Sequence, residues 1–137
     1  MTDVRALLTA ALGPSRLAPP PADLTDISRH ALGTPLAWVS PSTTDEVQRV
    51  VQVVRGARLP LVVCGRRTAY WRPLHVQDSV VLDTSGLQQV HAEDLESGWI
   101  HVGAGIPIRA LDDALRAKGW MLPCHPDAFG ETSVGSS

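Results

Sequence analysis

The chain has 137 residues, room for one compact hydrophobic core. With 44% hydrophobic and 19% charged residues it has the balance of an ordinary soluble globular protein, which excludes a disordered chain or a bundle of membrane spans. The formal net charge of -2, with no block of either sign, gives no electrostatic reason to expect nucleic acid or an anionic membrane as a partner.

In chain order, Val4, Leu7, Leu8, Ala11 and Leu12 fall on one helical face, with Thr2 the expected cap and Gly13-Pro14 the stop. Asp3 stands where a secretory signal carries only positive charge, and the apolar run is too short to cross a bilayer, so a cytoplasmic location is expected. Residues 14–34, with Pro19-Pro20-Pro21, read as an irregular arm leading into a domain over residues 35–137. A short strand is predicted over 36–39.

A helix is predicted over 43–55. Thr43 and Glu46 have capping-box spacing, Asp45 and Glu46 occupy the first turn, and Val47, Val50, Val51 and Val54 repeat along one face. Residues 59–64 form a short apolar run that suits a strand buried on both faces. Further strands are predicted over 80–83, 87–91 and 99–102. Pro107 is placed to begin a helix running to Lys118, with Ile108, Leu111 and Leu115 inward. The fold class is therefore α+β: a small mixed or parallel sheet of three or four strands with the 43–55 and 107–118 helices packed on it, followed by the start of a second sheet.

The remaining chemistry-bearing residues are sparse. Cys64 and Cys124 lack CxxC spacing and read as free thiols in a reducing compartment. His30, His75, His91, His101 and His125 show no i, i+4 pairing and no carboxylate at ligand spacing, so no metal is expected. Cys124 and His125 point to opposite sides if that segment is extended. Trp38, Trp71, Trp99 and Trp120 are spread over separate segments, as core or rim packing requires. Glycine-containing turns occur at residues 64–69, 103–105 and 133–136. Their amides can approach an anion closely, a pyrophosphate among them, although each taken alone also reads as an ordinary turn. Gly103-x-Gly105 after a strand suggests a dinucleotide fingerprint, but its third glycine is replaced by Ile108, which favours a tight strand-to-helix turn.

Five segments in order, PLAWVSPSTTDEVQRVVQVV, LPLVVCGRRTAY, VVLDTSGLQQV, IHVGAGIPIRALDDAL and GWMLPCHPDAFGETSVGSS, resemble the N-terminal FAD-binding lobe of the vanillyl-alcohol oxidase/p-cresol methylhydroxylase (PCMH-type) flavoproteins. The resemblance implies a flavin-dependent oxidoreductase, represented by the lobe that binds the FAD pyrophosphate. It places Gly65, Arg66, Arg67, Thr68 and Ala69 in the first phosphate loop, and Ser133, Val134 and Gly135 in a second turn, where the family has Thr-Ile-Gly-Gly and Ser136 replaces the last glycine. Pro123 and Asp127 fall on the segment that passes the flavin. Arg66 and Arg67 stand where glycines are usual. Their guanidinium groups would pair with pyrophosphate oxygens, or their Cβ atoms would spoil the cradle, or they are solvent-exposed charge without a role. Thr68 occupies the position at which some members tether FAD through histidine, which implies FAD bound without a covalent link at that loop. The small-molecule substrate and any remaining flavin or substrate domain, on the same chain or a partner subunit, lie beyond these residues. The alternative is a stand-alone non-catalytic module, and the turn at 133–136 is expected to fray as a chain end.

Overall fold

A computed structural model describes residues 3–25, 31–67, 75–123, 126 and 130–136. The first helix, α1 (Val4–Leu12), opens on Asp3, whose carboxylate accepts from the amides of Arg5 at 3.0 Å and Ala6 at 3.2 Å. This corrects the expectation of a Thr2 cap: an ionised carboxylate both caps the amides and complements the positive end of the helix. Gly13, at φ 86, ends α1 as expected.

After a 3-10 turn (Pro14–Arg16) come β1 (Leu17–Ala18), β2 (Ala37–Val39), α2 (Thr44–Ala57), β3 (Leu61–Cys64) and β4 (Val80–Asp83). A 3-10 turn (Thr84–Gly86) leads to β5 (Val90–Asp94), β6 (Trp99–Val102), α3 (Ile108–Arg116) and a last 3-10 turn (Val134–Ser136). The first sheet has the order β1-β2-β4-β3, in which β4 pairs parallel with both β2 and β3 while β1 is antiparallel to β2. The second sheet is the β5-β6 hairpin.

Alternation along the strands divides the first sheet into two faces. Ala37, Val39, Val80 and Leu82 pack with Val4 and Leu8 of α1 and Val50 and Val54 of α2. Trp38, Val81 and Cys64 point the other way, onto Leu32 and Val76. Each valine or leucine so buried stabilises the fold by about 1.5–3 kcal/mol. A third cluster joins Ile106, Leu111 and Leu115 to Ile100 and Val102 of the hairpin.

Four expectations are corrected by this arrangement. The strand containing residues 59–64 lies at the sheet edge, with Val63 59% exposed, and is not buried on both faces. The helix expected over 107–118 packs on the hairpin, and α1 takes the second helical place on the first sheet. Pro107 is the cap of α3, in extended conformation, with Ile108 its first residue. The strand expected over 87–91 runs from Val90 to Asp94 because the amides of Leu87 and Gln88 turn back to Thr84 and Gly86, at 3.0 and 3.1 Å.

Candidate functional site

β3 and β4 are parallel neighbours with Cys64 opposite Asp83, so the turns that follow them leave the same end of the sheet. The Thr84 hydroxyl donates to the Cys64 carbonyl at 3.3 Å. Asp83 braces the second turn, accepting from the Ser85 amide at 2.9 Å and the Trp38 indole N–H at 3.1 Å. The segment 103–105 lies against this turn: the Gly105 amide donates to Leu87 at 2.8 Å, and a Cβ on Gly103 or Gly105 would run into the Leu87 or Thr84 carbonyl. Both glycines therefore serve close backbone packing.

The turn at 133–136 docks onto this same platform. Ser133 bridges Pro107, the Val134 amide donates to Ile106 at 3.0 Å, and the Gly135 amide donates to Ala104 at 2.8 Å. A Cβ on Gly135 would stand 2.7 Å from that of Ala104, so the position is confined to glycine. Ser133 is 1% exposed. These bonds tie the segment to the platform.

The first loop and this turn meet at Gly65. A Cβ built there would lie 3.2 Å from the Ser136 Cβ and 3.5 Å from the Ser133 hydroxyl oxygen. Among the described residues, the amides of Gly65, Arg66 and Arg67 have no backbone acceptor. Arg67 sits at φ 61, the left-handed region that glycine enters without strain. Both arginines are exposed, and each meets a backbone carbonyl. Arg66 Nε donates to the Glu131 carbonyl at 2.7 Å, tying loop to turn, and Arg67 Nη1 reaches the Asp23 carbonyl at 3.4 Å.

Of the residues singled out from sequence, the structure thus brings together Gly65, Arg66, Ser133, Val134 and Gly135, with Arg67 beside them. Pro123 borders an apolar cleft of about 400 Å³ lined also by Ile100, Val102, Leu111, Leu122 and Val134. Thr68, Ala69 and Asp127 lie outside the described residues, as do Trp71 and Cys124. Cys64 is free and buried. Burial first, and the nearby Asp83 carboxylate second, push its thiol up to about 11, with Arg67 opposing.

Three features escaped the sequence. Thr84 and Ala104 act through backbone carbonyls, for which residue type carries no signal. Asp112 is 2% exposed on the inward face of α3, accepting from the Leu122 amide at 2.9 Å and Arg116 Nε at 2.6 Å. It was legible, since 108, 111, 112 and 115 follow the i, i+3, i+4, i+7 rule. The rings of His91 and His101 lie 4.7 Å apart across the hairpin, where an irregularity between Val90 and Ala92 shifts the register. Among the described residues no group of three or more potential metal ligands occurs, and no helix is long and apolar enough to cross a membrane.

The amides of 65–67 and the 133–136 turn docked across Gly65 thus bring backbone N–H groups and hydroxyls to one end of the first sheet. The family model of the FAD binding domain matches residues 35–137, and the chain belongs to that family. It is similar to a D-2-hydroxyglutarate dehydrogenase of Xanthomonas citri pv. viticola, 31% identical over 143 residues that cover 100% of this chain and 30% of that protein. Two solved structures share its fold. An alkyldihydroxyacetonephosphate synthase superposes with a TM-score of 0.83 at 20% identity, over 97% of this chain and 28% of its own. The corresponding values for p-cresol methylhydroxylase are 0.68 and 18%, over 85% of this chain and 24% of its own. The chain is accordingly an FAD-binding domain of the kind found in FAD-linked oxidoreductases, with the fold shared by p-cresol methylhydroxylase, and spans less than a third of the length of these proteins.

Proposed function

We propose that these residues grip the FAD pyrophosphate, without a covalent bond, in an oxidoreductase that takes a small 2-hydroxy acid as substrate. The observation that carries the reading is the meeting of Gly65 with the 133–136 turn, a cradle lined by hydroxyls and amides in which a side chain on Gly65 would lie against the turn. The residues present fit a diphosphate: the amides of 65–67 are hydrogen-bond donors without a backbone acceptor among the described residues, and the dehydrogenase similarity supports the substrate class.

Each element then has a task. Gly65 leaves room for phosphate oxygens, and Gly135 lets the second turn approach closely enough to close over them. A guanidinium carries five N–H donors. Arg67 uses one on the Asp23 carbonyl, and Arg66 meets Glu131 through both the carbonyl at 2.7 Å and the carboxylate at 3.9 Å, so each keeps further N–H donors to pair with the anion. FAD, when bound, supplies the isoalloxazine ring that takes up the hydride. Thr68 offers a hydroxyl where a tether would need an imidazole.

The test uses the full-length protein encoded by the complete reading frame. Acid precipitation is expected to release the yellow colour into the supernatant, and D-2-hydroxyglutarate or a related 2-hydroxy acid is expected to bleach the flavin absorbance. Colour held in the pellet would refute the non-covalent reading. Bleaching by phenols or primary alcohols alone would refute the substrate class.

A further inference from the structure

The β5-β6 hairpin brings the rings of His91 and His101 to a centroid distance of 4.7 Å, with their planes tilted by 36°. Val90 pairs with Val102 and Ala92 with His101, so His91 and Ala92 together oppose His101, as in a β-bulge. Such a bulge re-aims a side chain, and here the side chain is an imidazole. Both histidines are exposed, so burial of apolar surface is not what pairs the rings. Among the described residues neither imidazole takes part in a hydrogen bond or an ion pair. Both line a cleft of about 180 Å³ between the hairpin and the start of α2, which Ser42, Thr43 and Gln89 also border.

We infer that His91 and His101 together bind one divalent transition-metal ion of the zinc, nickel or copper(II) class at this cleft. Imidazole nitrogen suits these metals, whereas magnesium and calcium take oxygen ligands. A metal at about 2.0–2.1 Å from one nitrogen of each ring holds two imidazoles side by side. The hairpin already holds them so, which spares the binding step much of the cost of ordering its ligands. Two protein ligands leave the other coordination positions to water, for which the cleft has room and polar walls. The site is therefore open and exchangeable, unlike a closed four-ligand structural centre. The lack of i, i+4 spacing among the histidines bears on helices and does not reach a pair on two strands. Gly65, Arg66 and Arg67 are not among the walls of this cleft, so the metal site stands or falls apart from the flavin reading.

The experiment compares the full-length protein, freed of metal by a chelator, with His91→Ala, His101→Ala and the double variant. Zinc chloride is titrated into each by calorimetry, with magnesium chloride as the control and the metal-free melting temperature as the check on folding. The wild type is expected to bind one more equivalent of zinc than the double variant, and each single variant to bind that equivalent at least about tenfold more weakly. Magnesium is expected to distinguish none of them. A second measurement needs no variant: zinc, but not magnesium, should protect both His91 and His101 of the wild type from diethyl pyrocarbonate, as read by peptide mass spectrometry. Zinc binding of equal stoichiometry and affinity in the wild type and a folded double variant overturns the proposal. Labelling of both histidines at the same rate with and without zinc overturns it too, whether or not the variants fold. Protection of one histidine alone shows a single-ligand surface contact and overturns the paired site.

Discussion

Cys64 shows how one residue reports on the end of the sheet from which the phosphate loop emerges. Its thiol, raised to about 11 by burial and by Asp83, stays protonated at neutral pH and donates to the Gly65 carbonyl at 3.4 Å. The thiolate is the nucleophile, so alkylation should be slow. In a Cys124→Ser background, mass spectrometry after iodoacetamide treatment at pH 8 is expected to show Cys64 unmodified in the folded protein and modified in urea. Rapid labelling of the folded form would show the strand end to be open. The pH linkage has a definite sign. The unfolded thiol releases its proton near 9.0 and the folded one near 11, so the folded state binds more protons between them and stability falls as pH rises through that window.

Among the elements, α2 is held at both ends by contacts that can be tested singly. At its start the Thr43 hydroxyl accepts from the Glu46 amide at 3.2 Å, as the capping box requires. The Glu46 carboxylate reaches one residue further back than that pattern predicts. It accepts from the Ser42 amide at 2.7 Å and from Arg16 Nε at 3.0 Å, tying the arm to the helix. The Ser42 amide, then partly offset by burial and helped by Arg16, holds its pKa below the ordinary 4.5. A depressed carboxylate stabilises the fold above its unfolded value and loses that contribution as pH falls through its folded value. Glu46→Gln should therefore cost about 2 kcal/mol at neutral pH. The melting-temperature gap between variant and wild type should narrow below pH 4.5. A gap independent of pH would mean that packing, and not charge, holds the arm.

At the other end Arg58 adopts φ 54, while the amides of Arg58 and Leu59 donate to Arg55 and Val54, both at 3.1–3.2 Å, in a Schellman arrangement. Arg58→Gly is expected to raise stability by about 0.5–1 kcal/mol, since glycine enters this conformation without a Cβ clash. An unchanged melting temperature would show that the arginine side chain compensates. The three helices were legible because periodicity is a local signal, although the caps of α1 and α3 each fell one residue later than expected. The true start of β5 was not, because Gln88 and Gln89 carry no apolar alternation and hydrogen bonds of the preceding turn decide where pairing begins. The edge position of β3 was hidden for a related reason: hydrophobicity reports burial of a segment, and strand order depends on a partner some 20 residues away.

For the whole molecule, the candidate site was legible as three separate turns but not as one place. Their convergence depends on Gly135 meeting Ala104 and on Gly105 meeting Thr84, contacts between backbones that no residue pattern announces. A flavin site grips the pyrophosphate, encloses the adenine and orients the ring, and the groups proposed above, among the described residues, serve the first task. The 137-residue chain purified alone is accordingly expected to be colourless and inactive with artificial electron acceptors. The apolar cleft at Pro123, together with Trp99 at 50% and Met121 at 58% exposure, should drive self-association. A yellow, monomeric, active preparation would place the remaining tasks within this chain.

The position of β4 between β2 and β3 also sets a timetable for synthesis. β2 and β3 share no hydrogen bonds with each other and gain their common partner only when the last strand of the sheet has been made. On a ribosome adding about 5–20 residues per second, the exposed edges of β2 and β3 must therefore wait, open to wrong pairings, until Val80–Asp83 leaves the exit tunnel. Nascent chains arrested before that point are expected to be uniformly sensitive to protease, and those arrested after it to gain a protected core in one step.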